Sequence, residues 1–267
     1  MQRFGLIGHP VAGSLSPALF AAAYDGRYAY DLLDFPRFED AWNAFLNGYD
    51  GINVTAPFKQ DAFAAVSRLS ENARLCGAVN LVVRSGADLV GYNTDVDGVV
   101  GALSVLPGSP SVLPGSPSVI PGLTGNLSAL VVGTGGAARA AARAVQLLGC
   151  RVTVTGRSLE KAAALGYPAV SFQDAAALRP SVIIYTLPSS APVPAFLTAS
   201  PASSYPAPTG YLSNAIVLEA EYKHPALDQV HCRRYISGKQ WLLHQAFAGY
   251  RLFTGEEPSF EKMSAVL

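Results

Sequence analysis

The sequence predicts a two-domain α/β protein on three observations. Apolar strand-like runs alternate with helical patterns in two separate stretches of the 267 residues. A glycine-rich turn at 133–136 joins an apolar run to an alanine-rich helical pattern. Between the two alternations lies a segment dense in proline, glycine and serine. The expected layout is an N-terminal α/β domain over 1–103, a linker or loop at 104–122, a second α/β domain over 123–237, and a helical segment at 238–267 that returns to pack on the first domain.

The first alternation runs "RFGLIG" as strand, "SPALFAAAYDG" as helix, "YAYDLLDF" as strand, "FEDAWNAFLNG" as helix, "GINVT" as strand and "PFKQDAFAAV" as helix. Such an order calls for parallel strands joined by crossover helices, and "NLVVRSGADLVGYNT" adds a hairpin. After "DVDGVVGAL" the heptad SVLPGSP at 104–110 recurs unchanged at 111–117. Prolines this dense remove backbone donors and forbid helix or central strand, so a surface segment is expected. The second alternation begins with the strand "SALVVG", then the helix 136–148, the strand "RVTVTG", the helix "SLEKAAALG", and the strands "SVIIYTL" and "AIVLEAEY". The tail "GKQWLLHQAFAGYRLFTG" reads as a long amphipathic helix stopped by Gly255; packed on the first domain, it would tie the two into a cleft.

Composition narrows the function. Lys plus Arg and Asp plus Glu are 19 each, so no net field draws the chain to nucleic acid, an anionic membrane or a polyanion. The expected partner is a small molecule. Three cysteines, Cys76, Cys150 and Cys232, have no pairing or metal-ligand spacing, so neither a disulfide framework nor a metal site is expected, and a reducing cytoplasm fits. "MQRFGLIGHP" enters an apolar strand-like run almost at once, without a basic region followed by a long apolar one, so no secretory leader is expected there, and no apolar run approaches the roughly 18 residues of a membrane span.

The motif with the firmest physical basis is "LVVGTGGAARAA", residues 130–141. A strand entering Gly133, Gly135 and Gly136 and leaving as a helix lets backbone amides and the helix dipole meet a pyrophosphate, with Ala138 at the third glycine position, as the fingerprint allows. This is a Rossmann-type dinucleotide fingerprint; the competing reading is a glycine turn with no ligand. At the tip of the next strand, "TGRSLEK" offers Arg157, Ser158 and Lys161 where an NAD site would carry an acid. Cations there suit a ribose 2′-phosphate and point to NADP; the alternative is a solvated basic face.

The first half supplies scattered polar residues. "SLSP" places Ser14 and Ser16 before a helix opened by Pro17, and Ser16 is equally readable as the helix N-cap. "NVTAPFK" gives Asn53, Thr55 and Lys59, "GAVN" gives Asn80, and "GYNTDVDG" gives Asn93, Thr94, Asp95 and Asp97. Taken singly, Asn, Thr and Ser in loops are turn-formers. Lys59 and Asp95 taken singly read as a surface lysine and a helix cap.

Together, "GHPVAGSLSP", "NVTAPFK", "GAVN", "GYNTDVDG", "VVGTGGAARA", "TGRSLEK" and "LLHQA" resemble the shikimate 5-dehydrogenase (shikimate/quinate dehydrogenase) family in order and spacing, from residue 4 to about 255. The resemblance implies a substrate-binding catalytic domain at 1–103, an NADP-binding Rossmann domain at 123–237, and reduction of 3-dehydroshikimate to shikimate with NADPH. It further implies Lys59 and Asp95 as catalytic pair, and Ser14, Ser16, Thr55, Asn80, Tyr222 and Gln245 as substrate contacts. Gly133, Gly135, Gly136, Ala137 and Ala138 correspond to the phosphate loop, and Arg157, Ser158 and Lys161 to the 2′-phosphate clamp. A cytoplasmic monomer or homodimer is expected. The chain departs from the family pattern at Gly13 (commonly His), Tyr185 (Asn), Glu219 (Asp), Gln240 (Gly) and Trp241 (Met). Two rivals remain at this point: a quinate/shikimate dehydrogenase or relative acting on another hydroxylated cyclic carboxylate, and a non-catalytic metabolite-binding homologue, against which retention of both Lys59 and Asp95 argues.

Overall fold

The computed structural model describes residues 2–104, 126–198 and 210–267. Apart from Ser104, the SVLPGSP repeat and the linker predicted around it lie outside the described residues. The chain divides into two compact units, Met1–Gly98 with Leu242–Leu267, and Val99–Trp241.

In the first unit the order is β1 (Arg3–Gly8), α1 (Ser16–Ala23), β2 (Ala29–Asp34), α2 (Phe38–Leu46), β3 (Gly51–Val54), α3 (Lys59–Ala65), β4 (Arg68–Leu69), α4 (Glu71–Cys76), β5 (Leu81–Ser85), β6 (Asp88–Tyr92) and the start of α5 (Asp95–Ser104). The six strands form one sheet in the order β2-β1-β3-β5-β6-β4. β1 pairs in parallel with β2 and β3, as the crossover helices require, while β5 runs antiparallel to both β3 and β6 as the predicted hairpin. Every residue of β1 except Arg3 is buried, because helices cover both faces of this part of the sheet.

The covering on one face comes from the C-terminal segment. Leu243, Ala246, Tyr250 and Phe253 of α9 (Gly238–Thr254), spaced on one helical stripe, pack with Phe4, Leu19 and Phe20, joined by Met263 of α10 (Phe260–Ser264). Phe4 stacks on Phe253 at 4.9 Å and Phe20 meets Tyr250 edge-on at 4.7 Å. Full burial of each such ring contributes about 1.5–3 kcal/mol, which accounts for the terminal helix returning to the first unit. Gly255, at φ +74°, stops the helix at the predicted position.

The second unit begins within α5 and continues as β7 (Ser128–Val132), α6 (Gly136–Leu147), β8 (Arg151–Thr155), α7 (Leu159–Ala163), β9 (Ala169–Val170), α8 (Phe172–Ala175), β10 (Val182–Tyr185), a 3₁₀ turn (Ala195–Leu197), β11 (Ile216–Glu219), β12 (Arg234–Ile236) and the first residues of α9. Its sheet is wholly parallel in the order β12-β11-β10-β7-β8-β9. The chain moves outward from β7 in one direction and then in the other, so β7 and β10 flank the point where strand order reverses. At such a point the loops diverge beyond the strand ends and leave room for a ligand.

The very short elements, β4, β9, β12, α8 and α10, have no counterpart in the sequence reading, since two to five residues show no period. Among the described residues no helix is long and apolar enough to cross a membrane. The three cysteines are free thiols.

Candidate active site

Lys59 stands at the start of α3, where the helix dipole is unfavourable to a cation by about 0.3–1 kcal/mol. Its compensation is Asp95, the first residue of α5, whose carboxylate meets a favourable dipole and accepts a hydrogen bond from Lys59 Nζ at 2.5 Å. Both side chains are largely covered, at 21% and 12% exposure, so water screens this pair less than an ordinary surface pair. Lys59 is therefore a paired, partly covered lysine rather than a freely solvated one.

The peptide chain around Lys59 is tied to the "GAVN" segment, since Val79 N donates to Lys59 O at 2.9 Å. One residue on, buried Asn80 is a hub. Its backbone O accepts from Val54 N (2.8 Å), its Oδ1 accepts from Thr94 N (2.7 Å), and its Nδ2 donates to Thr94 Oγ1 (3.1 Å). Gln245 of α9 brings Oε1 within 3.4 Å of Thr94 Oγ1, which donates to it, and within 3.5 Å of Asn80 Nδ2. Asn80 and Gln245, both predicted contacts, therefore share one buried polar cluster, and the structure adds Thr94 to them. Its neighbour Asn93 donates to Ala78 O at 3.0 Å and so locks the turn leading into Asp95.

Ser16 is not the N-cap of α1. Leu15 occupies that position without a side-chain capping bond, and Ser16 is the first helical residue. Its buried hydroxyl accepts from Ser14 Oγ at 3.1 Å, while Ser16 N donates to Ser14 Oγ at 3.2 Å. A further residue passed over in the sequence is Tyr30, whose hydroxyl donates to Asn53 Oδ1 at 2.8 Å. Thr55 follows β3 directly, and its N–H donates to Ile7 O at 2.9 Å.

The predicted cofactor residues belong to the second unit. Gly133 has φ +133°, and a Cβ there would lie 2.1 Å from Thr186 Oγ1, so only glycine permits this turn. Gly135 caps α6 in an extended conformation with open space where a side chain would project, and Gly136 begins the helix. Buried Ala138 faces inward on α6, which lets the helix approach the sheet. These features leave a bare helix N-terminus facing the strand ends, a cradle that fits a pyrophosphate. Arg157 and Lys161 are exposed, and Ser158 caps α7 by accepting from Lys161 N at 3.2 Å. Tyr222 is half-buried.

Two of the departures lie side by side. Tyr185 and Glu219 are register partners on β10 and β11. Fully buried Glu219 accepts from Ala226 N (2.6 Å), Leu227 N (3.1 Å) and Tyr235 Oη (2.8 Å), so its carboxylate fastens the segment after β11. Burial, and secondarily the charge of Glu219, raises the Tyr185 phenol pKa. Buried Trp241 and exposed Gln240 precede the part of α9 assigned to the first unit.

Comparison with known proteins identifies the family. The family described as shikimate dehydrogenase substrate binding domain matches residues 6–82. A Halobacterium salinarum protein named shikimate dehydrogenase (NADP(+)) is 43% identical over 184 residues, covering 65% of this chain and 64% of that protein. The Bacillus subtilis protein of the same name is 30% identical over 290 residues, covering 100% of this chain and 96% of its own length. Among solved structures, shikimate 5-dehydrogenase from Thermus thermophilus, in complex with NADP(H) and shikimate, superposes with a TM-score of 0.76 at 28% identity, covering 100% of this chain and 98% of that one. With its full-length relative, its two-sheet architecture and its paired lysine and aspartate, the chain belongs to the shikimate dehydrogenase family.

Proposed function

We infer that the chain is an NADP-dependent shikimate dehydrogenase, which reversibly reduces 3-dehydroshikimate to shikimate, a step of aromatic amino acid biosynthesis, with Lys59 and Asp95 as its acid–base pair. The observation that carries the reading is the 2.5 Å contact between Lys59 Nζ and Asp95 Oδ2. Bound NADPH supplies the hydride. As the carbonyl carbon is reduced, negative charge grows on its oxygen; the Lys59 ammonium stabilises that charge and gives up the proton that completes the alcohol. Asp95 orients the lysine through the shared hydrogen bond and offers its second oxygen to a substrate hydroxyl. In the oxidative direction Lys59 takes the proton back.

Ser14, Ser16, Thr55, Asn80, Tyr222 and Gln245 bind the substrate's carboxylate and hydroxyls, their donors and acceptors suiting a small polyhydroxylated acid. Gly133, Gly135, Gly136, Ala137 and Ala138 hold the pyrophosphate, and Arg157, Ser158 and Lys161 the 2′-phosphate. In this reading residues 1–103 with 238–267 form the substrate domain and 123–237 the NADP domain. The enzyme acts in the cytoplasm as a monomer or homodimer, with neither nucleic acid nor membrane as partner; the balanced charge and free thiols favour this. The test is the rise in reduced-nicotinamide absorbance with shikimate or quinate against NADP or NAD. Turnover of shikimate with NADP at the highest kcat/KM is expected; quinate as the better substrate would reassign specificity, and tight shikimate binding without turnover would overturn the catalytic assignment.

A further inference from the structure

We propose that Asp34 is a positioning residue for substrate recognition: its carboxylate anchors the loop at 9–14 that presents Ser14 and Ser16. The inference rests on the reading of those serines as substrate contacts. Asp34 closes β2, and its two oxygens take hold of the loop at two places. Oδ2 accepts from Val11 N at 3.0 Å, and Oδ1 pairs with His9 Nδ1 at 2.7 Å. The Val11 amide first, then the His9 ring, holds the Asp34 carboxyl below its ordinary pKa, as expected of an anion with good donors.

From Val11 the connection to the serines is continuous. Ser14 N donates to Val11 O at 2.9 Å, and Ser14 Oγ in turn bonds both the hydroxyl and the amide of Ser16. On its other side the loop is fitted to the strand that leads to Thr55. His9 N donates to Ala56 O at 3.1 Å, and a Cβ on Gly8 would lie 2.3 Å from Thr55 Cγ2 and 2.8 Å from Val11 Cγ1. Glycine at position 8 thus lets loop and strand close on one another, and Asp34 sets how the loop continues toward Ser14. Ala12 and Gly13 are exposed and bring no polar side chain to the turn. Where the family commonly has histidine, Gly13 leaves the loop more conformational freedom, which raises the demand on an external anchor.

The experiment compares wild type, Asp34→Ala and Asp34→Asn, measuring kcat and KM for shikimate and for NADP together with thermal melting. Asp34→Ala is expected to raise KM for shikimate about tenfold, with kcat and KM for NADP nearly unchanged, because the serines lose their position and the chemistry does not. Asp34→Asn keeps an acceptor for Val11 N and is expected to show a smaller rise. An unchanged KM for shikimate, or equal losses for both substrates, would overturn the proposal, and Asp34→Asn decides it should the alanine variant fold poorly. A wild-type protein without activity on shikimate would instead refute the functional reading itself.

Discussion

On the proposed function, the phosphate loop and the substrate cluster solve recognition in opposite ways. At residues 133–138 the proposed cofactor contacts belong to the backbone: amides at the start of α6 and the absence of a side chain at Gly133 and Gly135. Around Lys59 the polar groups are side chains delivered by separate segments, with Asp95 36 residues away, Thr94 14 residues from Asn80, and Gln245 151 residues from Thr94. A backbone site is spoiled mainly by adding atoms, whereas a side-chain site is spoiled by removing them. The two regions should therefore respond to substitution in different kinetic terms, cofactor affinity in the first and chemistry in the second.

The largest effect is expected at Lys59. Lys59→Ala should lower kcat by about 10² to 10⁴ with the fold and NADP binding preserved, since the lost proton transfer and charge stabilisation act only during reaction. Asp95→Asn should also be severe, because the amide keeps the shape and loses the charge that orients the ammonium. The double variant should lose far less than the product of the two single losses, as residues acting as a unit are not additive. Steady-state kinetics of the four proteins read this directly; near-wild-type turnover in Lys59→Ala would remove the acid–base assignment.

Next in size is the choice between cofactors. Arg157→Ala should weaken NADP by roughly 1.5–3 kcal/mol and hardly alter NAD, the range for a charge-assisted contact to a phosphate that NAD lacks. Dissociation constants for both nucleotides provide the check, and equal losses would mean that the exposed guanidinium plays no part in holding the 2′-phosphate.

The same contrast explains what can be read without coordinates. Strand–helix alternation, the hairpin, the glycine turn and the Gly255 stop are local patterns, and each is legible because its cause lies within a few residues. The polar cluster around Asn80 has no such locality. Asn80 and Thr94 look like turn-formers until β5 and β6 bring their segments together, and Tyr30 looks like a strand residue until its hydroxyl is seen on Asn53. Motif resemblance is what singles out Lys59, Asp95, Asn80 and Gln245 where periodicity does not, but it assigns no role to Thr94 or Asp34. Ser16 reads as a possible cap because a serine just before a helix-opening proline favours that role; α1 begins one residue earlier than the capping reading requires.

The smallest expected effect separates structure from function within a single residue type. Ser158 and Ser70 do the same structural work in the two units: each caps a short helix by accepting a backbone N–H at 3.2 Å, from Lys161 for α7 and from Ala73 for α4. Replacing either with alanine should cost about 1 kcal/mol of stability, the usual loss for a serine cap. If Ser158 also donates its hydroxyl proton to the 2′-phosphate, Ser158→Ala should in addition weaken NADP by about 0.5–1.5 kcal/mol while sparing NAD, because the cap uses only the oxygen lone pair and leaves the proton free. Ser70→Ala should leave the kinetics with shikimate and NADP alone. Melting curves and nucleotide titrations on both variants supply the comparison, and a Ser158→Ala protein that loses stability but binds NADP as wild type would confine Ser158 to its helix and leave Arg157 and Lys161 as the whole clamp.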